Sequence, residues 1–308
     1  SNQCSLTAVK ADLAWDYWNI PEEMPGDKNI LLASIDTGVD YTHPDLIENI
    51  WVNQGELVGN EIISDLFADI DLNNDNLISA PEISEFMSTQ GSSGDLNNDG
   101  ISNLRDALVA GSPFIDNDDN DGNGYTDDII GWDASGEFGS EDNDPFPKSG
   151  VQPGSEWAHG THVAGILAAT TDNDIGMAST MFNGKILSVK CSNDGPETEE
   201  PGIHDGYEGI TYAAKAGYYA GVRTIINCSW GAAGGGTSGQ TVINSAYNNY
   251  GAIVVAAAGN GVEDAYQEDY ADHYPASYEN VVSVCAMSCN GNWGRWATYH
   301  TTVDLAAP

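Results

Sequence analysis

The sequence predicts an α/β fold with a parallel sheet and helices on both faces, and three observations carry that expectation. Short, near-continuous apolar runs recur in the first and last thirds of the chain. Helix-like stretches rich in small residues separate them. The runs are β-branched and bounded by Gly, Asn and Asp, as buried strands linked by helical crossovers require.

The strand candidates are residues 29–36 (NILLASID), 185–191 (KILSVKC), 223–231 (RTIINCSWG), 252–260 (AIVVAAAGN) and 280–287 (NVVSVCAM). Helices are expected over 159–169 (HGTHVAGILAA), 206–221 (GYEGITYAAKAGYYAG) and 239–251 (GQTVINSAYNNYG). In such sheets function gathers at the carboxyl ends of the strands, and Asp36 and Asn260 each end one.

The middle of the chain has a different character. Asp and Asn recur at alternate positions and the strand pattern stops, so 63–115 reads as an insertion into a body made of 1–62 and 116–308. Residues 71–82 (DLNNDNLISAPE) fit a twelve-residue EF-hand calcium loop. Its oxygen ligands would be Asp71, Asn73, Asp75, the Leu77 carbonyl, Ser79 directly or through water, and Glu82. Asn76 replaces the usual glycine, a change that Asn tolerates because it enters left-handed backbone. Ile78 is expected to touch a paired loop, while Ile62, Leu66, Phe67, Ile70, Ile83, Phe86 and Met87 build a small core around it.

Residues 95–106 (DLNNDGISNLRD) repeat that spacing with Asp95, Asn97, Asp99, the Ile101 carbonyl, Asn103 and Asp106. GSSG stands where an entering helix would be and the last ligand is Asp, features that resemble the loop-helix units of dockerin modules. A third, less regular cage is expected in 116–128 from Asp119, Asp121, Asn123 and Asp127, with Asp116, Asp118 and Asp128 as alternates. Ca²⁺ is therefore the expected cofactor at two sites, with this cage as a third candidate.

Forty-seven acidic against nine basic residues give a net charge of −38, which disfavours nucleic acid and anionic membranes as partners. Three divalent cations would neutralise little of it, so a salty environment is a second expected cause. No run is long and apolar enough for a membrane span, and the first residues hold no apolar signal core. The five cysteines, Cys4, Cys191, Cys228, Cys285 and Cys289, allow at most two disulfides and show no paired CxxC spacing. Cys285 and Cys289 are close enough to bridge a turn, and buried free thiols are the equal alternative.

Chemistry is expected where Asp36, His159 and Asn260 meet. A carboxylate at a buried strand end can orient an imidazole and favour its protonated form. A side-chain amide can donate to a developing oxyanion. HGTH is a poor metal pair, because it lacks the glutamate of HExxH and its spacing is three. His162, His43, His204, His273 and His300 are expected to be loop or structural residues.

Taken together, IDTGVDYTHPDL, HGTHVAGILAA, NCSWG and AAAGN resemble, in order, the conserved segments of the subtilisin-like serine proteases, or subtilases. NGYTDDIIGWD followed by EDNDPFP is similar to a stretch that precedes the histidine segment in many bacterial members. The resemblance implies a secreted, calcium-dependent endopeptidase acting on peptide through an Asp-His-Ser triad. Asp36 and His159 would supply two members, Asn260 the oxyanion donor, and Ser229, Trp230 and Gly231 a backbone wall of the substrate cleft.

The resemblance also places the serine in a Gly-Thr-Ser-Met-Ala-like segment following VDLAAP, where the sequence given reaches Pro308. Ser238 in GGGTSGQ precedes AAAGN and so lies on the wrong side of it. The 308-residue chain is accordingly expected to be inactive alone, with apolar sheet surface uncovered and the serine on a continuation or a separate fragment. The alternative class is a noncatalytic calcium-binding structural or adhesive protein on the same fold. Glu263 and Asp264 suggest basic substrate side chains, and the NCS sequon at Asn227 is discounted because it lies in a strand.

Overall fold

The computed structural model describes residues 3–16, 25–27, 29–135, 140–148, 155–182, 184–193, 201–261, 272–292 and 297–308. Helices α1 (Cys4–Ala8) and α2 (Ala11–Asp16) precede β1 (Ile30–Asp36). The acidic middle carries α3 (Gln54–Leu57), α4 (Glu61–Ile70) and α5 (Ala80–Thr89). Then follow β2 (Gly131–Asp133), α6 (His159–Ala168), β3 (Lys185–Lys190), α7 (Gly206–Tyr219), β4 (Arg223–Cys228), α8 (Thr237–Tyr250), β5 (Ile253–Ala257), β6 (Val281–Ala286) and β7 (Leu305–Ala307).

The strands form one sheet in the order β2-β3-β1-β4-β5-β6-β7, and every neighbouring pair is parallel. This is the parallel α/β architecture expected from the sequence. Three-residue β2 and β7 escaped the sequence reading because they are too short to show an apolar run. The runs at 223–231 and 252–260 end as strands at Cys228 and Ala257, since the residues beyond them turn into a cleft.

Each face of the sheet has its own core. Under α7 and α8, Leu31, Ala33, Ile35, Val189, Ile226 and Val254 pack with Ile210, Tyr212 and Ile243. On the other face Ile186, Ala164 and Ala168 share a cluster with Ile63, Ile70, Ile83, Met87 and Leu104 of the acidic middle. Residues of the acidic middle and of the sheet thus exclude water together. Over β4 to β6 this second face is less covered: Ile225, Val255, Val282 and Val284 alternate with buried neighbours and are only half-buried, and Ile166 on α6 is 45% exposed.

Local chemistry explains where the helices of the acidic middle start. The Asn60 side chain accepts the Ile62 and Ile63 N–H groups to cap α4, and Ser79 forms a capping box with Glu82 at the start of α5. The buried face of α4 is Ile63 and Ile70, whereas Ile62 is 51% exposed. That corrects the expected core by one position. Ile78 is buried as expected, but its backbone pairs with the Gln54 side-chain amide at 3.0 and 2.8 Å, where a second loop was anticipated.

Cys4 is bonded to Cys289, while Cys191, Cys228 and Cys285 are free and buried. Proximity in sequence misled here, because the partner of Cys289 comes from 285 positions away. Gln3 also ties the amino-terminal segment to the body, exchanging two hydrogen bonds with the Ala178 backbone.

Candidate active site

Strand β1 delivers Asp36 to the centre of the sheet's carboxyl edge, where it is 1% exposed. His159 opens α6, and its Nδ1 lies 2.7 Å from Asp36 Oδ1. The Thr37 N–H donates to the same oxygen at 2.8 Å, so two donors fix that carboxylate. Thr37 Oγ1 then donates to the Trp157 carbonyl and accepts the Gly160 N–H, joining the strand end to the helix start on either side of His159. With the neutral ring protonated at Nδ1, the imidazole donates to Asp36 and keeps Nε2 available as a base.

The hydrogen bond to Asp36 raises the His159 pKa above the ordinary histidine value; burial opposes it, and the charges of Asp36 and Glu156 add smaller upward pushes. The neutral ring is the basic form, so a raised pKa moves the acid limb of any rate that needs this base to higher pH. An NMR titration of His159 is expected to show a midpoint above the usual ~6.5. Asp36→Asn should lower it, and an unchanged midpoint in that variant would sever the link between the two groups.

Close packing sets the pair. A Cβ on Gly160 would collide with the Gly38 carbonyl and stand 3.0 Å from Asp36 Cβ. Backbone cannot yield as a flexible side chain can, so Gly160→Ala is expected to cost about 1–3 kcal/mol. A thermal melt and the His159 titration check this; a variant with native stability and titration would contradict the packing argument.

Asn260 follows β5 and is exposed at the mouth of a cleft of about 690 Å³ that His159 also lines. Thr298 anchors that loop by donating its N–H to the Gly259 carbonyl and accepting the Gly261 N–H. Ser229, Trp230 and Gly231 line the same cleft, as do Ile203 and Tyr207. The Trp230 indole donates to the Ile35 carbonyl at 2.8 Å, which holds this segment across the end of β1. Five of the six sequence-derived residues thus meet His159 or its cleft directly, and Asp36 does so through its hydrogen bond.

The remaining histidines divide. His162 is exposed on α6, not held by packing as anticipated. His43 accepts the Asp45 N–H within a turn, and His300 pairs with Asp272 at 2.9 Å. His204 and His273 are loop residues that line the cleft. Ser238 lies in the first turn of α8, exposed and outside the cleft lining. Asn227 is on β4 and half-buried, and Glu263 and Asp264 lie outside the described residues.

Both EF-hand-like loops close in the same way. The Glu82 carboxylate accepts the Leu72, Asn73 and Ser79 N–H groups, and the Asp106 carboxylate accepts those of Leu96, Asn97 and Asn103. Asp71 receives the Asp75 and Asn76 N–H groups, and Asp95 that of Gly100. Asp75 and Asp99 hold the Leu77 and Ile101 N–H groups. Asn76 and Gly100 both have positive φ, at 67° and 93°. Asp95 Oδ1 is buried without a hydrogen-bond partner, which suits a cation ligand.

The third cage gains a residue that sequence reasoning missed. Oxygens of Glu56, Asp119 and Asp121 lie within 4.8 Å of one another, close enough to share a metal ion. Asn123 donates its side-chain amide to Asp121, whereas Asp127 accepts the Asp116 and Asn117 N–H groups. Burial, then the charges of Asp121 and Asp119, push the Glu56 pKa up to about 7 against two backbone hydrogen bonds. A bound cation would reverse that penalty. Glu56 sits in a four-residue helix 63 positions before Asp119, so no spacing pattern could have joined them.

A buried Asp and a His, joined at the carboxyl edge of a parallel α/β sheet above a cleft, define a recognisable class of site. The family model described as Peptidase_S8, Subtilase family, matches residues 27–308, and the chain belongs to that family. It is 36% identical over 180 residues to thermitase from Thermoactinomyces vulgaris, covering 58% of this chain and 55% of the relative. It is 30% identical over 217 residues to an extracellular protease of Xanthomonas campestris pv. campestris, covering 65% and 33%. The chain therefore spans only about half of the first relative and a third of the second. The solved structure of the S41 psychrophilic protease has the same fold, with a TM-score of 0.53 at 17% identity over 97% of this chain and 71% of that one.

Proposed function

We propose that this chain is the larger part of a secreted, calcium-dependent serine endopeptidase. The observation that carries the reading is the 2.7 Å Asp36–His159 pair beside a cleft lined by Asn260 and Ser229–Gly231. His159 takes the proton of a serine hydroxyl as that oxygen attacks the peptide carbonyl, and Asp36 stabilises the imidazolium. Asn260 donates to the resulting oxyanion, and the protonated His159 then delivers the proton to the leaving amine. Water repeats the sequence to release the acyl group.

In this reading the serine lies on a segment carboxyl-terminal to Pro308, and the 308 residues alone are inactive. The half-buried face formed by Ile225, Val255, Val282 and Val284 is where that segment would pack. Extracellular relatives support secretion. Residues 71–82 and 95–106 would each hold one Ca²⁺, and Glu56, Asp119, Asp121 and Asn123 a third, supplying positive charge that fixes acidic loops against the core.

The test is fluorophosphonate labelling of native protein in calcium, followed by mass spectrometry of every polypeptide present. Label on a serine beyond Pro308 is the expected result. A complete protein with its serine segment present but unlabelled would overturn the reading and favour a noncatalytic calcium-binding scaffold.

A further inference from the structure

The acidic middle touches the segment beside the Asp36–His159 pair through Arg105, which sits in the short 3-10 helix Leu104–Leu108 that closes the loop 95–106. Its backbone is fixed there. The Arg105 N–H donates to the Asn103 side chain at 2.8 Å, and its neighbours Leu104 and Asp106 are buried. The guanidinium lies 4.0 Å over the Phe146 ring, and Nη1 is 3.7 Å from Asp99 in the loop itself. Nε is buried with no hydrogen-bond partner, so it is the flat contact with Phe146 that orients this end of the side chain. Its charge also reaches Tyr41: burial and then Asp144 push that hydroxyl's pKa well up, and Arg105 opposes them.

Phe146 belongs to a segment, 140–148, that lies between the acidic middle and the site. Asn143 donates to the Leu108 and Asp127 carbonyls at 3.5 and 3.3 Å. Asp144 accepts the Tyr41 hydroxyl at 2.7 Å and the Phe146 N–H at 3.1 Å, and the Tyr41 and Phe146 rings meet edge to face at 5.3 Å. On its other side the segment walls the turn after Asp36. The Pro145 carbonyl accepts the Val39 N–H at 3.1 Å. A Cβ on Gly38, whose φ is 98°, would stand 2.8 Å from the Pro145 carbonyl oxygen and 2.9 Å from Pro147 Cα. The Gly38 carbonyl in turn packs against Gly160, the residue after His159, and the Asp40 N–H donates to Thr161 Oγ1 on α6 at 2.9 Å. From Phe146 to Gly160 the packing is made by backbone and rings, which transmit a displacement instead of absorbing it.

We propose that Arg105 is a positioning residue for the catalytic pair: by clamping Phe146 it sets the wall around Gly38 and, through Gly160, the place of His159 against Asp36. This rests on the reading of Asp36 and His159 as catalytic. Neither Arg105 nor Phe146 is among the residues lining the cleft, so the effect falls on the pair and not on substrate contacts. The acidic middle then acts on the rate as well as on stability. Misplacing a reacting group by about 1 Å costs on the order of 100-fold, and loosening one clamp among several is expected to cost about 10-fold.

The experiment uses the complete protein, as wild type, Arg105→Met and Arg105→Lys, assayed well below the melting temperature of each. Arg105→Met removes the charge and the plane, and is expected to lower kcat about 10-fold per titrated active site with KM nearly unchanged. Its His159 midpoint, followed by NMR, should fall toward the ordinary histidine value as the hydrogen bond to Asp36 loosens. Arg105→Lys should lie between, since an ammonium keeps the charge beside Asp99 and Phe146 but not the flat contact. A purely structural role would lower the melting temperature and leave kcat and the His159 midpoint at their wild-type values, and that result overturns the proposal. A rise in KM with kcat intact overturns it too. Should Arg105→Met fail to fold, Arg105→Lys decides by the same two readings. Fluorophosphonate titration of the same samples separates the two failures: labelled variants with wild-type kcat and midpoint sink the Arg105 role alone, and unlabelled wild type sinks the catalytic reading with it.

Discussion

Asp36→Asn in the complete protein is expected to lower kcat about 10⁴-fold while leaving KM nearly unchanged. The reason is geometric. Asp36 is 1% exposed and its Oδ1 receives both His159 Nδ1 and the Thr37 N–H. An amide at this position can present an N–H to Nδ1, which forces the ring proton onto Nε2 and removes the lone pair that would accept the serine proton. The imidazolium also loses its counter-charge. Substrate binding draws on the cleft wall and not on this buried group, so the loss should fall on kcat. Steady-state kinetics with a peptide substrate, corrected by active-site titration, measure the effect. A fall of less than 10-fold would mean that the 2.7 Å pair serves structure alone.

If calcium binds the folded loops and not the unfolded chain, as proposed, chelation is expected to lower the melting temperature substantially. At free calcium 100-fold above Kd each site contributes about 2.7 kcal/mol. The acidic middle shares a buried cluster with α6 and the sheet, through Ile63, Ile83, Leu104, Ala164 and Ile186. Loosening the loops should therefore be felt in the sheet and α6 and not confined to the acidic middle. Glu82→Gln, Asp106→Asn and Glu56→Gln test the three sites one at a time by calorimetry with and without millimolar calcium. If wild type melts at the same temperature in chelator and in calcium, the calcium sites are refuted. If only Glu56→Gln matters, the third cage is the stabilising one.

The elements legible in the sequence were those with a local signature. Buried strands β1, β3, β4, β5 and β6 carry continuous β-branched runs, and α6, α7 and α8 fall where small-residue helical stretches were read. The EF-hand-like loops were legible because alternating Asp and Asn must sit at fixed spacing to surround one cation. Misplaced features lacked such a signature. Ile62 and Ile63 are adjacent and equally apolar, and only the packing of α4 against the body decides which one is buried. Gln54 replaces a second loop as the partner of Ile78, a choice that depends on where α3 is placed.

By itself the sequence determined the α/β class, the strand ends bearing Asp36 and Asn260, the helix start bearing His159, and the twelve-residue spacing of the two loops. These follow from local rules, since periodicity, capping and ligand spacing act within a few residues. Only the tertiary structure decided that Asp36 and His159 lie 2.7 Å apart, that Cys289 joins Cys4, that Glu56 meets Asp119 and Asp121, and that His273 lines the cleft against Gly231. Such contacts join positions dozens to hundreds of residues apart, and the sheet's order β2-β3-β1-β4-β5-β6-β7 sets which strand ends become neighbours.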